Sequence, residues 1–189
     1  MSRWSANDRE QAHRWASDLL QRGDWVVLDT ETTGLDTRAQ AIQIAIASAD
    51  GVTLLDTLVR PIGRIPPDAI AIHGITDAMV ADAPTFPEVH PTLAQILRGK
   101  IVIAYNAAFD RRILRQTAHL NRARELPLTW QCAMEQYSRF VGRWSDRHGS
   151  YAWQPLPRPP EYAGRKHQAI DDCLATLDVI RKMAGWTAR

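Results

Sequence analysis

Cysteine is scarce in this chain: Cys132 and Cys173 are the only two among 189 residues. They make neither a disulfide framework nor a thiolate metal pair, which excludes a stapled secreted scaffold and a structural zinc knot. Long apolar runs are missing as well; none nears the roughly 20 residues a membrane-crossing helix needs. The N-terminal stretch MSRWSANDREQAHRW is charged throughout and has no signal-peptide core. These absences lead to an expectation of no membrane association and a cytoplasmic location. No internal repeat and no flexible linker divides the sequence, so residues 1–189 read as one domain: an N-terminal helix within 1–22 and a core over 24–184. An excess of one charge is lacking too, with 23 basic against 21 acidic residues and a net charge of +2. Basic residues do gather locally, at Arg111, Arg112, Arg115, Arg122 and Arg124, and at Arg143, Arg147, Arg158, Arg165 and Lys166. Such clusters are usually solvated surface.

What is present is an alternation of patterns. Ala12, Trp15, Ala16, Leu19 and Leu20 recur at helical spacing, so Asn7 to Gln21 reads as an amphipathic helix. WVVLDTE, AIQIAIASA and VTLLDTLVR read as strands, the last two joined by a hairpin at Asp50-Gly51. A Pro-rich connector with short helical turns follows, then a helix over Pro87 to Leu97. KIVIAY is nearly all apolar, as a strand in mid-sheet should be. A helix over Ala107 to Leu120, a fifth strand in LPLTWQC, an irregular Pro/Trp/Arg-rich segment from Gly142 to Lys166 and a closing helix over Gln168 to Ala184 complete the reading. The order predicts an α/β fold with a mixed sheet.

Carboxylates sit where a core should not hold them. Strand side chains alternate faces, so Trp25, Val27, Asp29 and Glu31 share one face and Val26, Leu28 and Thr30 the other. Either the strand end frays into solvent, or two acids lie side by side with a task. On a helical wheel Asp110 aligns with Ile113, Leu114 and Thr117, facing inward. It also sits in a first turn, where any acid is favoured by the helix dipole. In HQAIDDCLATLDVIRKM, Asp172 aligns with Ala175, Thr176, Val179 and Met183, whereas Asp171 aligns with Asp178 and Lys182. Asp172 is therefore predicted to point inward and Asp171 outward. Asp29, Glu31, Asp110 and Asp172 together supply the oxygen-rich set that hard divalent cations need. Two Mg²⁺ or Mn²⁺ ions about 3.5–4 Å apart would relieve their repulsion and clamp a phosphodiester. His167, five residues before Asp172, suits a general base, because imidazole exchanges protons near neutral pH. A lone histidine is more often structural.

DTETTGL (Asp29–Leu35), NAAFD (Asn106–Asp110) and HQAIDD (His167–Asp172) occur in that order, with HGIT (His73–Thr76) between the first two. Together they resemble the exonuclease motifs of the DEDDh, or DnaQ-like, 3′–5′ exonucleases, over residues 24–184. The resemblance implies an RNase H-like fold, a five-stranded mixed sheet flanked by helices. It makes Asp29, Glu31, Asp110 and Asp172 the metal-binding acids and His167 the base. It implies that Thr32 contacts the terminal nucleotide, Leu35 wedges against the last base, His73 lies close by, and Asn106 and Phe109 hold the scissile end. Many relatives carry His before Asn in the second motif; here Tyr105 stands there, read as a buried strand end and not as a ligand.

The implied partner is a single-stranded 3′ end, DNA favoured and RNA possible, bound with little sequence preference. Trp144, Tyr151, Trp153 and Tyr162 interleave with Arg143, Arg147, Arg158 and Arg165 either as a strand-binding flap or as a loop packed on its own domain. Gln154-Pro155-Leu156-Pro157 faintly resembles a sliding-clamp peptide. Polymerase-bound relatives carry a further C-terminal tail, so a stand-alone enzyme is expected. Three readings stand beside it: a polymerase-associated proofreading subunit, an RNA 3′-end trimming enzyme and a non-catalytic binding module. Several relatives are homodimers, and a homodimer stays open.

Overall fold

The computed structural model describes residues 6–158, 167–185 and 187. Strand β1 (Trp25–Thr32) opens with Trp, Val, Val and Leu, residues that suit a sheet covered on both faces, and all four are buried. It pairs antiparallel with β2 (Ala41–Ser48), which pairs antiparallel with β3 (Thr53–Leu58) across the Asp50-Gly51 turn. Gly51 there has φ 88°, a left-handed conformation glycine adopts without strain. On its other side β1 runs parallel to β4 (Ile101–Ala104), and β4 to β5 (Thr129–Cys132). The five-stranded sheet has the order β3-β2-β1-β4-β5. This is the mixed sheet of the RNase H-like fold, as expected.

The two faces of the sheet are covered by different helices. Trp25, Val27, Ala45, Ala47 and Ile103 pack with α1 (Ala6–Leu20) and with the closing helix, whose Leu177, Ile180 and Met183 are fully buried. Val26, Leu28, Ile44, Ile46 and Val102 pack on the opposite side. There they meet α4 (Phe86–Leu97), through Leu93 and Leu97, and α5 (Ala107–Leu120), through Ile113 and Leu114. Helix α4 starts where Glu88 accepts the Thr85 N–H at 2.7 Å, a capping box at the entry to the apolar stripe. Leu93 is 0 % exposed, and its truncation to Ala would cost about 2–5 kcal/mol. Two short helices, α2 (Pro67–His73) and α3 (Asp77–Val80), cover the rim with Ile42, Ile65, Ala69, Ile75 and Val80.

Three features depart from the sequence reading. Helix α6 (Ala133–Val141) follows β5 without a turn residue between them. No start signal marks it, and it is held by tertiary contacts instead: Arg9 Nε donates to the Phe140 carbonyl at 2.8 Å. The segment after it is not wholly irregular, since β6 (Trp144–Ser145) pairs with β7 (Ser150–Tyr151). The fifth strand is shorter than LPLTWQC suggests. The last helix, α7, spans Ala169–Ala184.

Candidate active site

The site arises where the strands differ in length. Strand β1 pairs with β4 only from Trp25 to Val27, yet it continues along β2 as far as Thr32. Asp29, Thr30 and Glu31 therefore have a strand neighbour on one side and a notch on the other. The notch lies at the carboxyl ends of β1 and β4, the edge at which α/β sheets commonly bind ligands. Helix α5 enters it from one face of the sheet and α7 from the other.

Helix phase then directs the acids. In α5 the buried residues are Ala107, Asp110, Ile113, Leu114, Thr117 and Ala118, so Asp110 shares the inward stripe. In α7 Asp172 shares burial with Ala175, Thr176, Val179 and Met183, while Asp178 and Lys182 are exposed and Asp171 is half-buried. Asp110 is 3 %, Asp172 6 % and Glu31 7 % exposed. Asp29 is partly open to the notch.

Burial and mutual repulsion raise the affinity of these groups for protons. Desolvation, helped by Asp172, pushes Glu31 up to about 8. Desolvation also pushes Asp110 up to about 7, against the opposing Thr30 hydroxyl, which donates to Asp110 Oδ1 at 2.8 Å. Asp29 is raised well above the ordinary carboxylate range, by desolvation first and then by Asp110, Asp172 and Glu31.

Two carboxylate oxygens, Glu31 Oε1 and Asp172 Oδ1, are buried with no hydrogen-bond partner among the described residues. An unsatisfied buried group of this kind costs about 1–3 kcal/mol, more when charged. Glu31, His167 and Asp172 each offer an atom within 4.8 Å of the others, a group able to hold a metal ion. Orphaned carboxylate oxygens in an acid cluster fit a divalent cation, because only a cation satisfies them without another proton donor.

All ten residues singled out from the sequence line one cleft of about 680 Å³: Asp29, Glu31, Thr32, Leu35, His73, Asn106, Phe109, Asp110, His167 and Asp172. Leu35 stands 78 % exposed at the mouth. Thr32 Oγ1 donates to the Gly34 carbonyl at 2.8 Å, shaping the turn after β1. That turn is pinned to α5: Arg112 Nη1 donates to the Leu35 and Asp36 carbonyls, and its guanidinium covers the Phe109 ring at 5.2 Å. The Ile75 N–H donates to His73 Nδ1 at 3.0 Å, so the neutral ring carries its hydrogen on Nε2. Asn106 caps α5.

Sequence reasoning missed three contributors. Thr30 lies on the opposite face of β1 from Asp29 and Glu31, and no periodicity signals that it reaches Asp110. Tyr105 is a buried strand end, as read, but it also lines the cleft and donates its hydroxyl to the Gln154 carbonyl at 2.7 Å. Arg158, read as one charge of a basic cluster and of a possible strand-binding flap, donates to Asp172 Oδ2 and to His167 Nδ1, each at 2.6 Å. Of the proposed flap, Trp144 and Tyr151 pack edge to face at 5.3 Å, and Tyr151 donates to Asp8 at 2.7 Å, so they serve the domain itself. Trp153 is 74 % exposed, whereas Tyr162 and Arg165 lie outside the described residues. In the Gln154–Pro157 peptide, Leu156 packs against the core and lines the cleft.

Sheet order, flanking helices and an acid cluster at the end of the first strand define an exonuclease of the RNase H-like fold. The chain belongs to the Exonuclease family (RNase_T), whose sequence profile matches residues 26–180. It is 34 % identical over 195 residues to the uncharacterized exonuclease CP81 of Escherichia phage 186, covering 97 % of each chain. It is also 34 % identical over 171 residues to exodeoxyribonuclease 10 of Escherichia coli K12, covering 86 % of this chain and 70 % of that one. A solved structure of exonuclease X in complex with 5′ overhanging duplex DNA matches with a TM-score of 0.55 at 30 % identity, covering 87 % and 95 % of the two chains. The nuclease domain of 3′hExo bound to rAMP matches with a TM-score of 0.64 at 18 % identity over 85 % of this chain and 92 % of that one, a likeness of fold. The protein is thus a DnaQ-like exonuclease acting on nucleic acid. Among the described residues no helix is long and apolar enough to cross a membrane.

Proposed function

We propose that this enzyme removes nucleotides one at a time from the 3′ end of single-stranded nucleic acid, DNA in preference to RNA, by two-metal-ion hydrolysis. The observation that carries the reading is the convergence of Asp29, Glu31, Asp110 and Asp172 on one cleft, with buried oxygens of Glu31 and Asp172 left without a partner. In this reading those four acids hold two Mg²⁺ or Mn²⁺ ions. Such ions, when bound, acidify the attacking water and neutralise charge on the attacking and leaving oxygens.

The chain's own residues do the rest. His167 faces the cleft with its side chain 49 % exposed, within reach of water, and serves as the base that takes the water's proton. Leu35, exposed at the mouth, presses against the last base in this reading. Phe109, braced by Arg112, offers an aromatic wall, and Asn106 and His73 flank the terminal nucleotide. Thr32 and the turn it shapes meet the sugar end. Binding through platforms and backbone contacts reads no sequence.

The name of exodeoxyribonuclease 10 supports DNA. The duplex bound by exonuclease X supports a second reading, in which a recessed 3′ end is also degraded. One experiment tests both: 3′- and 5′-labelled DNA and RNA, as single strands, blunt duplexes and 5′-overhanging duplexes, with Mg²⁺, Mn²⁺ or EDTA. Release of mononucleotides from the 3′ end only, and only with a divalent ion, is expected. Release from the 5′ end, or undiminished activity in EDTA, overturns the proposal. His167→Ala should lower turnover about 10²–10⁴-fold with Mn²⁺ affinity largely kept, as single-turnover rates and calorimetry would show. A polymerase pull-down separates a proofreading subunit from a stand-alone enzyme.

A further inference from the structure

Arg158 is the cation that, among the described residues, meets the acid cluster directly. Its Nη2 donates at 2.6 Å to Asp172 Oδ2 and at 2.6 Å to His167 Nδ1, and the two acceptors lie 3.3 Å apart. A guanidinium only donates, so His167 Nδ1 must present its lone pair to Arg158. The proton of the neutral ring is then on Nε2. Both ring nitrogens are spent, and in this arrangement His167 has no free lone pair for a water proton. The same arginine covers an oxygen of Asp172, the acid whose other oxygen is orphaned.

The contact is built, not incidental. The strand of chain leading to it is anchored by the Tyr105 hydroxyl on the Gln154 carbonyl and by Leu156 packed on the core. Arg158's side chain is 22 % exposed and that of Asp172 9 %, so solvent screens the pair only in part. A divalent ion on Asp172 would stand within a few ångströms of the guanidinium, and like charges at that distance disfavour each other.

We propose that Arg158 is a latch: it occupies Asp172 in place of the divalent cation and ties up the lone pair of His167, and it leaves both when the cation arrives. Ion binding thereby frees the base, so the site becomes reactive only when charged with metal. This inference rests on the metal-ion reading above.

Calorimetric titration of Mn²⁺ into the full chain, at one pH and without nucleic acid, tests it. Arg158→Gln should bind Mn²⁺ about tenfold tighter than wild type, the scale of removing one charge-assisted hydrogen bond from a competing state. Arg158→Lys, which keeps the charge, should stay closer to wild type than Arg158→Gln. Mn²⁺ affinity in Arg158→Gln that is unchanged or weaker overturns the latch while leaving the metal site standing. A wild-type chain that binds no Mn²⁺ removes the metal reading and the latch with it. Should Arg158→Gln unfold in EDTA, its acids having lost their cation, Mn²⁺ must restore cooperative melting; failure to do so counts against the latch.

Discussion

The two sides of the cleft treat their acids differently. On the α5 side, Asp110 comes from one face of the sheet and is held by the Thr30 hydroxyl at 2.8 Å. On the α7 side, Glu31 and Asp172 each keep a buried oxygen without a partner, and Asp172's other oxygen is met by Arg158. One side is a fixed fitting whose geometry the protein supplies. The other is left unsatisfied, with Arg158 on one oxygen of Asp172 and two buried oxygens without a partner among the described residues. The difference teaches that an acid cluster of this kind need not be uniformly strained: one acid is pre-oriented by a neutral donor, and the electrostatic demand is concentrated opposite it.

The largest effect should come from removing the acids themselves. Asp172→Ala and Asp29→Ala should each abolish hydrolysis, by about a thousandfold or more if ion-borne charge stabilisation is lost, while the fold survives. Near-wild-type rates in either variant, measured by release of 3′-terminal nucleotide, would break the assignment of these acids. Smaller is the loss expected on the fitted side. Thr30→Val keeps volume but removes the hydroxyl from Asp110, and an orienting partner of this sort is worth about 10–100-fold in metal affinity or activity. A change below about twofold would show that Asp110 orients without Thr30.

Titration sharpens the comparison further. Glu31 has its pKa raised from 4.5 to about 8 in the folded protein. Between those values the native state binds more protons than the unfolded chain. The stability due to this group is present in full below about pH 4.5 and is lost as pH rises through about 8. In EDTA the melting temperature should therefore drift down across that window. Mn²⁺ should flatten or reverse the drift, because ligands must shed protons to bind it. Melts at stepped pH, with and without Mn²⁺, would decide; a rise of stability with pH in EDTA, through the same window, contradicts the reading. The smallest effect belongs to a neighbour. Asp171→Asn, beside Asp172 but off its inward stripe, should leave activity within about twofold of wild type. Loss matching that of Asp172→Asn would mean α7 is turned relative to its burial pattern.

How much of this was visible in the sequence depends on the kind of order involved. Asp29 and Glu31 on one face of β1, Asp110 on the inward stripe of α5 and Asp172 on that of α7 follow from strand alternation and helical periodicity. These are local rules that hold wherever the element forms. Helix α6 escaped because nothing local starts it; contacts such as Arg9 on the Phe140 carbonyl hold it in place. Asp171 was expected to face outward and is half-buried.

Sequence alone thus determined the strands of the main sheet and most of the helices on it, the face taken by Asp29, Glu31, Asp110 and Asp172, and the family to which the motifs point. Only the tertiary structure decided that β1 outruns β4 to open a notch, that Thr30 reaches across to Asp110, and that Arg158 settles on Asp172 and His167. The physical reason is range. Periodicity is written in neighbouring residues, whereas the pairing of Thr30 with Asp110, or of Arg158 with Asp172, depends on register and packing between segments that meet only once the sheet is assembled.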